Sequence, residues 1–155
     1  MKLSELIAPD LVVLPLNAAD KWEAISLLAR HPVASGRLPE KTLPAVEQAL
    51  VARETSMTTG MEDGIAIPHA AVDGIEDLIA VLGLSPEGVP FDTLDGKPAR
   101  IVVCLVIPRS KKLLHIRTLA EIARLLHRAD VRERLLSCRD PEEVAAALRE
   151  VESDS

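Results

Sequence analysis

The apolar positions along the chain follow two kinds of pattern. Trp22, Ile25 and Leu28 recur at helical spacing, and Leu43, Val46, Leu50 and Val51 do the same over about 42–54. The first of these helices is expected to open at Asn17 followed by Asp20, an N-cap with an acidic third position, and to close near Gly36. Pro44 fits the first turn of the second. Leu11–Leu14 is a short apolar run and predicts a strand. Leu78–Leu84 and Ile101–Ile107 are continuous apolar runs of seven, as expected of strands covered by helices on both faces. The intervening SPEGVPFDTLDGKPAR predicts a loop, with a turn at Asp95-Gly96. A long helix is expected over about Lys111–Arg128. Arg117, Glu121, Arg124 and Arg128 share one narrow face of it, and His115 lies opposite among Leu119, Ile122 and Leu126. Two shorter helices are expected to start at caps: Asp130 with Glu133 three residues on, and Asp140-Pro141-Glu142-Glu143. The interleaving of helices and strands predicts one α/β domain over 1–151: a single mixed β-sheet flanked by helices on both sides, with residues 152–155 a frayed tail. Strand order is not legible in the pattern.

Composition narrows the function classes. A chain of 155 residues supports one domain with its own core. Trp22 and Phe91 are its only aromatics, which argues against a base-stacking nucleic-acid platform, and a net charge of −6 argues against a general polyanion binder. The charge is uneven, because residues 109–134 hold 8 basic and 3 acidic side chains. No apolar run approaches the roughly 20 residues of a membrane helix, and MKLSELIAPD lacks a signal-peptide centre, so a cytoplasmic protein is expected. Cys104 and Cys138 form no CxxC pair, and the four histidines form no HxxxH or HExxH pair; reduced thiols and no metal site are expected.

The segment SMTTGMEDGIAIPHA, residues 56–70, differs from its surroundings. It predicts a loop, a short strand at Ile65–Ile67 and a turn at Pro68-His69. His69 is the foremost chemical candidate, against the plain reading of a loop histidine without a role. An imidazole whose N–H is held by an acceptor presents its other nitrogen as an aimed nucleophile. Such a nitrogen can store a phosphoryl group and pass it on, given charge compensation around the phosphoryl oxygens. Arg53, the hydroxyls of Thr58 and Thr59, the backbone beside Gly60, and His115 could supply that. Each has a plain reading as well: Arg53 as a cation at a helix C-terminus, His115 as a core histidine, Thr58 and Thr59 as ordinary loop residues. Glu54 and Asp63, two carboxylates near in sequence, are expected to be solvated.

The stretches RETSMTTGMEDGIAIPHA and LLHIRTLAEIARLL, with DGKPARIVVCLVIP between them, resemble the enzyme IIA domain of the fructose/mannitol/nitrogen-regulatory class of the phosphoenolpyruvate-dependent phosphotransferase system. The likeness implies a mixed sheet flanked by helices. It also implies a phosphoryl acceptor at His69, with Arg53, Thr59 and His115 as its companions. No cofactor is implied, since the phosphoryl group comes from phosphoenolpyruvate through carrier proteins. The implied partners are a histidine phosphocarrier protein and an enzyme IIB or a regulated target. Glu62 stands where family members carry glycine; a carboxylate there would repel a phosphoryl group unless it points away, and would be strained if that backbone needs positive φ. No stretch resembles a IIB or membrane domain, which inclines the reading toward a nitrogen-type regulator. Two other functions compete: a non-phosphorylatable regulatory binding module of the same fold, and a hydrolase using His69 and His115 as acid and base.

Overall fold

A computed structural model describes residues 1–153. The elements run α1 (Leu3–Leu6), β1 (Val12–Val13), α2 (Lys21–Ala34), α3 (Leu43–Ser56), β2 (Ile65–Ala66), β3 (His69–Val72), β4 (Ile79–Val89), β5 (Ala99–Pro108), α4 (Lys112–Leu126), α5 (Ala129–Leu136) and α6 (Pro141–Ser153). The two apolar runs become β4 and β5, paired antiparallel at the centre of the sheet. β1 joins β4 in parallel on one side; β2 and β3 both join β5 in parallel on the other. The sheet is therefore mixed.

Alternation along β5 splits the core in two. Ile101, Val103, Leu105 and Ile107 pack with Ile122 of α4, Leu135 of α5 and Leu148 of α6. Val102, Cys104 and Val106 pack with Ile25 and Leu28 of α2 and Val46 and Leu50 of α3. Helices thus cover both faces, which is why these strands are apolar throughout rather than alternating. Cys104, sealed between β5 and α2/α3, has its thiol pushed up to about 12 by burial.

Several local expectations differ from the structure. The cap of α2 is Asp20 itself, whose side chain accepts from Glu23 N at 2.9 Å, and not Asn17. Asp130 lies inside the first turn of α5, paired with Arg128, rather than at its cap. Val51 is exposed, so the buried stripe of α3 is Val46, Leu50 and Glu54. Part of the expected 85–100 loop is strand, because β4 continues to Val89 through a register shift after Leu84. Helix α6 runs through Glu152, which is buried and takes Leu3 N at 3.0 Å and Ser4 N at 2.6 Å, tying the first turn of α1 to the end of the domain. Of the expected frayed tail, Asp154 and Ser155 lie outside the described residues.

Candidate functional site

His69 is the first residue of β3, not part of a turn. The edge strand of the sheet breaks at Ile67-Pro68: β2 pairs with Ile101–Val102 and β3 resumes at Leu105, whose N–H donates to Pro68 O at 2.9 Å. Proline has no N–H to continue the ladder, so the edge steps at that point. A four-residue strand hidden behind such a break carries too little periodicity to be seen in the sequence.

The ring of His69 is half-buried and lines two adjoining clefts, of about 310 and 380 Å³, between α3 and α4. Arg53 and Leu119 line both with it. Thr58, Thr59 and Gly60 line the first; Arg109 and Lys112 line the second. Nδ1 of His69 lies 2.8 Å from Ile67 O. A carbonyl can only accept, so Nδ1 carries the proton and Nε2 holds the lone pair. Burial lowers the pKa of the ring, the hydrogen bond to Ile67 and the charge of Glu54 oppose it, and Arg53 adds to the lowering; the net direction is down. The neutral, nucleophilic form is thereby favoured at pH 7.

Thr59 is buried and fully engaged. Its N–H donates to Glu54 Oε2 at 2.8 Å and its hydroxyl to Glu54 Oε1 at 2.5 Å. The Thr58 hydroxyl donates to Asp92 O at 2.6 Å and accepts from Gly60 N at 3.1 Å. Glu54 is only 2% exposed, against the expectation of a solvated carboxylate. The signal was its spacing, since Glu54 continues the Val46–Leu50 stripe at i+4 and so faces inward. Arg53, one residue earlier, donates to Met57 O at 2.7 Å and closes the end of α3 over the cleft.

His115 lines neither cleft. It is 3% exposed in the buried stripe of α4 with Thr118, Ile122 and Leu126, and its Nδ1 lies 3.2 Å from Thr118 Oγ1. Burial, with Lys111 and the N-terminal ammonium, lowers its pKa. The structure therefore brings His69, Arg53, Thr58 and Thr59 together, and leaves His115 buried on α4, outside the lining of both clefts. Glu62 is exposed and also lines neither cleft; the residue with positive φ is Asp63, at 62°. Among the described residues, no group of three or more His, Cys, Asp or Glu is arranged to hold a metal, and no helix is long and apolar enough to cross a membrane.

The arrangement is a nucleophilic nitrogen at a groove whose charged lining side chains besides His69 are Arg53, Arg109 and Lys112, with a threonine-rich loop on one wall. It is suited to receive an anionic electrophile. The family model for the EIIA 2 component of the phosphoenolpyruvate-dependent sugar phosphotransferase system matches residues 5–151. The chain is 34% identical over 149 residues to the PTS system fructose-specific EIIA component of Haloferax volcanii, covering 96% of each chain. Its fold is similar to the crystal structure of the nitrogen regulatory protein IIA-Ntr from Neisseria meningitidis, with a TM-score of 0.83 and 27% identity, covering 94% of this chain and 98% of that one. It is also similar to a chain in the complex of mannitol enzyme IIA and phosphorylated mannitol enzyme IIB from Escherichia coli, with a TM-score of 0.74 and 25% identity, covering 93% and 97%.

Proposed function

The chain belongs to the EIIA 2 family of the phosphoenolpyruvate-dependent sugar phosphotransferase system, and on that footing we propose that His69 is its phosphoryl acceptor, charged by a phosphorylated histidine carrier protein. The observation that carries this reading is the Nδ1–H of His69 bound to Ile67 O while the ring lines a cationic cleft. The Nε2 lone pair attacks phosphorus, a P–N bond forms at Nε2, and the P–N bond of the donor breaks with its electron pair returning to the donor imidazole. Nδ1 keeps its proton throughout. The positive charge that develops on the ring is shared with the Ile67 carbonyl, which is already in place. Arg53 and Lys112 compensate the charge spread over the phosphoryl oxygens, while the 58–60 loop, whose Thr59 and Gly60 N–H groups are already taken, forms the wall of the cleft. His115, buried on α4 with its Nδ1 3.2 Å from Thr118 Oγ1, is assigned a supporting part in that helix.

The phosphoryl group then passes to an enzyme IIB, or its presence is read by a regulated protein. The likeness to a mannitol IIA bound to phosphorylated IIB supports the first destination, and the likeness to IIA-Ntr the second. The regulatory outcome follows from electrostatics, since phosphorylation adds roughly −1.5 to −2 charges to the rim of the cleft.

The test is incubation with phosphoenolpyruvate, enzyme I and the histidine carrier protein, followed by intact mass measurement. One acid-labile, base-stable phosphate is expected, and none in His69→Ala. Acid-stable label, or full labelling of His69→Ala, rules the mechanism out. An unmodified wild-type chain under conditions that charge the carrier favours the non-phosphorylatable binding module.

A further inference from the structure

Glu54 is a buried carboxylate in the last turn of α3, where the helix dipole disfavours negative charge. It is held there by two sets of contacts. Both oxygens clasp one residue, Thr59, through its N–H and its hydroxyl. On the other side Lys21 Nζ lies 3.4 Å from Oε2 and 2.9 Å from Asp92 Oδ2. Lys21 is the first residue of α2, its side chain is 12% exposed, and its ammonium sits 5.0 Å over the Trp22 ring. A buried carboxylate needs partners, and beside the two Thr59 donors Lys21 is the cation that faces it.

The clasp leads to the reacting ring in two steps. Thr59 O accepts from Ile67 N at 3.2 Å, and Ile67 O accepts from His69 Nδ1 at 2.8 Å. Resting on the reading of His69 as phosphoryl acceptor, we propose that Lys21 and Glu54 are its positioning residues, fixing Thr59 and through Ile67 the tautomer and aim of the imidazole. Neither touches the cleft, since both are absent from its lining. Their second effect is electrostatic. Glu54 favours the cationic ring that forms as phosphorus is attacked, while Lys21 cancels its repulsion of the incoming phosphoryl oxygens.

The pair is tested in the full chain with Glu54→Gln, Lys21→Met and Lys21→Arg. The glutamine can keep its oxygen on Thr59 N–H and Lys21, which share Oε2, and donate its NH₂ to Thr59 Oγ1, a hydroxyl that also accepts, so the substitution removes the charge of the clasp and not its shape. Two readouts are taken: the rate of phosphoryl transfer from the charged carrier protein, and the His69 titration midpoint with the Thr59 amide shift by NMR. Glu54→Gln is expected to lower the His69 midpoint, move the Thr59 amide and slow transfer at least tenfold. Lys21→Met should move the Thr59 amide and slow transfer as well, with Lys21→Arg recovering most of the rate. Wild-type rates in both Glu54→Gln and Lys21→Met overturn the proposal. So does slow transfer with an unmoved His69 midpoint and Thr59 amide, which is a merely structural loss. If Glu54→Gln fails to fold, Lys21→Met and its arginine rescue carry the test. If the wild-type chain takes no phosphate at all, the functional reading fails, and the NMR readouts still decide the positioning.

Discussion

Replacing Gly60 with alanine tests whether the wall of the cleft is as rigid as the geometry implies. A Cβ at Gly60 would lie 2.4 Å from the backbone oxygen of Asp92 and 2.9 Å from Thr93 Cγ2. Backbone cannot rotate away as a side-chain tip does, so the 58–60 loop or the 91–97 loop must move. Reaching even the shortest contact that real Cβ atoms make, 3.0 Å, takes a displacement of at least about 0.6 Å. That displacement falls on the bond from Thr58 Oγ1 to Asp92 O, and on the Thr59 peptide that holds Ile67. A misplacement of this order near a reacting centre costs up to about 10²-fold in rate, and the overpacking about 1–3 kcal/mol in stability. Gly74→Ala is the control: its φ of 86° makes alanine strained, but nothing lies within 4 Å of the added carbon. Thermal melts and a time course of phosphate incorporation are expected to show both variants destabilised, with only Gly60→Ala slowed by one to two orders of magnitude. Equal melts and equal rates for Gly60→Ala and wild type would refute the reasoning, because the two loops would then not be in contact in solution.

Arg53→Ala should slow phosphoryl transfer more than tenfold while leaving the melt nearly unchanged, a factor that needs only about 1.4 kcal/mol at the transition state; an unchanged rate removes Arg53 from the site. Glu152→Ala should leave the N–H groups of Leu3 and Ser4 without their carboxylate, lowering stability by about 1–3 kcal/mol in a melt with no change in transfer rate. His69 and His115 both have folded pKa values below the unfolded 6.5, so the unfolded chain binds more protons as pH falls. Stability is then full above about pH 6.5 and declines below it toward the folded values, and denaturant melts of His115→Gln should show a flatter decline. Glu62→Gly should change the transfer rate less than twofold, and a clear rise would mean that the exposed carboxylate does reach the phosphoryl group.

The sequence carried the layers of this fold because its two central strands are apolar on both faces and its helices are periodic. It did not carry β3. Four residues after a proline, HAAV, have no alternation long enough to read, and the strand exists because β5 offers Leu105–Pro108 as a ladder. The same limit explains the site. His69 and Arg53 stood out through residue type and spacing, whereas Glu54 was expected in solvent because a carboxylate one turn from a helix end is ordinarily there. Only the folded chain shows that the loop after it turns back and presents a donor pair, at which point burial becomes favourable. His115 is the converse case, buried on α4 and outside the lining of both clefts. Helical geometry set it on the inward face, and 40° of helix rotation separates it from Leu119, which lines both clefts.

A chain with a net charge of −6 is, on the whole, a poor host for a phosphoryl group. The structure resolves this by distance and pairing. No carboxylate lines either cleft at His69 among the described residues, while Arg53, Arg109 and Lys112 do. The carboxylate that comes nearest through its contacts, Glu54, faces Lys21 across 3.4 Å. Glu62 and Asp63 are exposed and line neither cleft, and Asp63 faces Arg132 at 3.9 Å. Charges in solvent act over a Debye length of roughly 8–10 Å, so the distant acidic surface contributes little at the phosphorus atom. Arg109 is paired with Asp73 at 3.2 Å, so Arg53 and Lys112 carry the cationic character of the lining in a molecule that is anionic as a whole. A docking partner that shields the cleft from water strengthens their local field, so the cationic lining favours transfer most when the partner is seated.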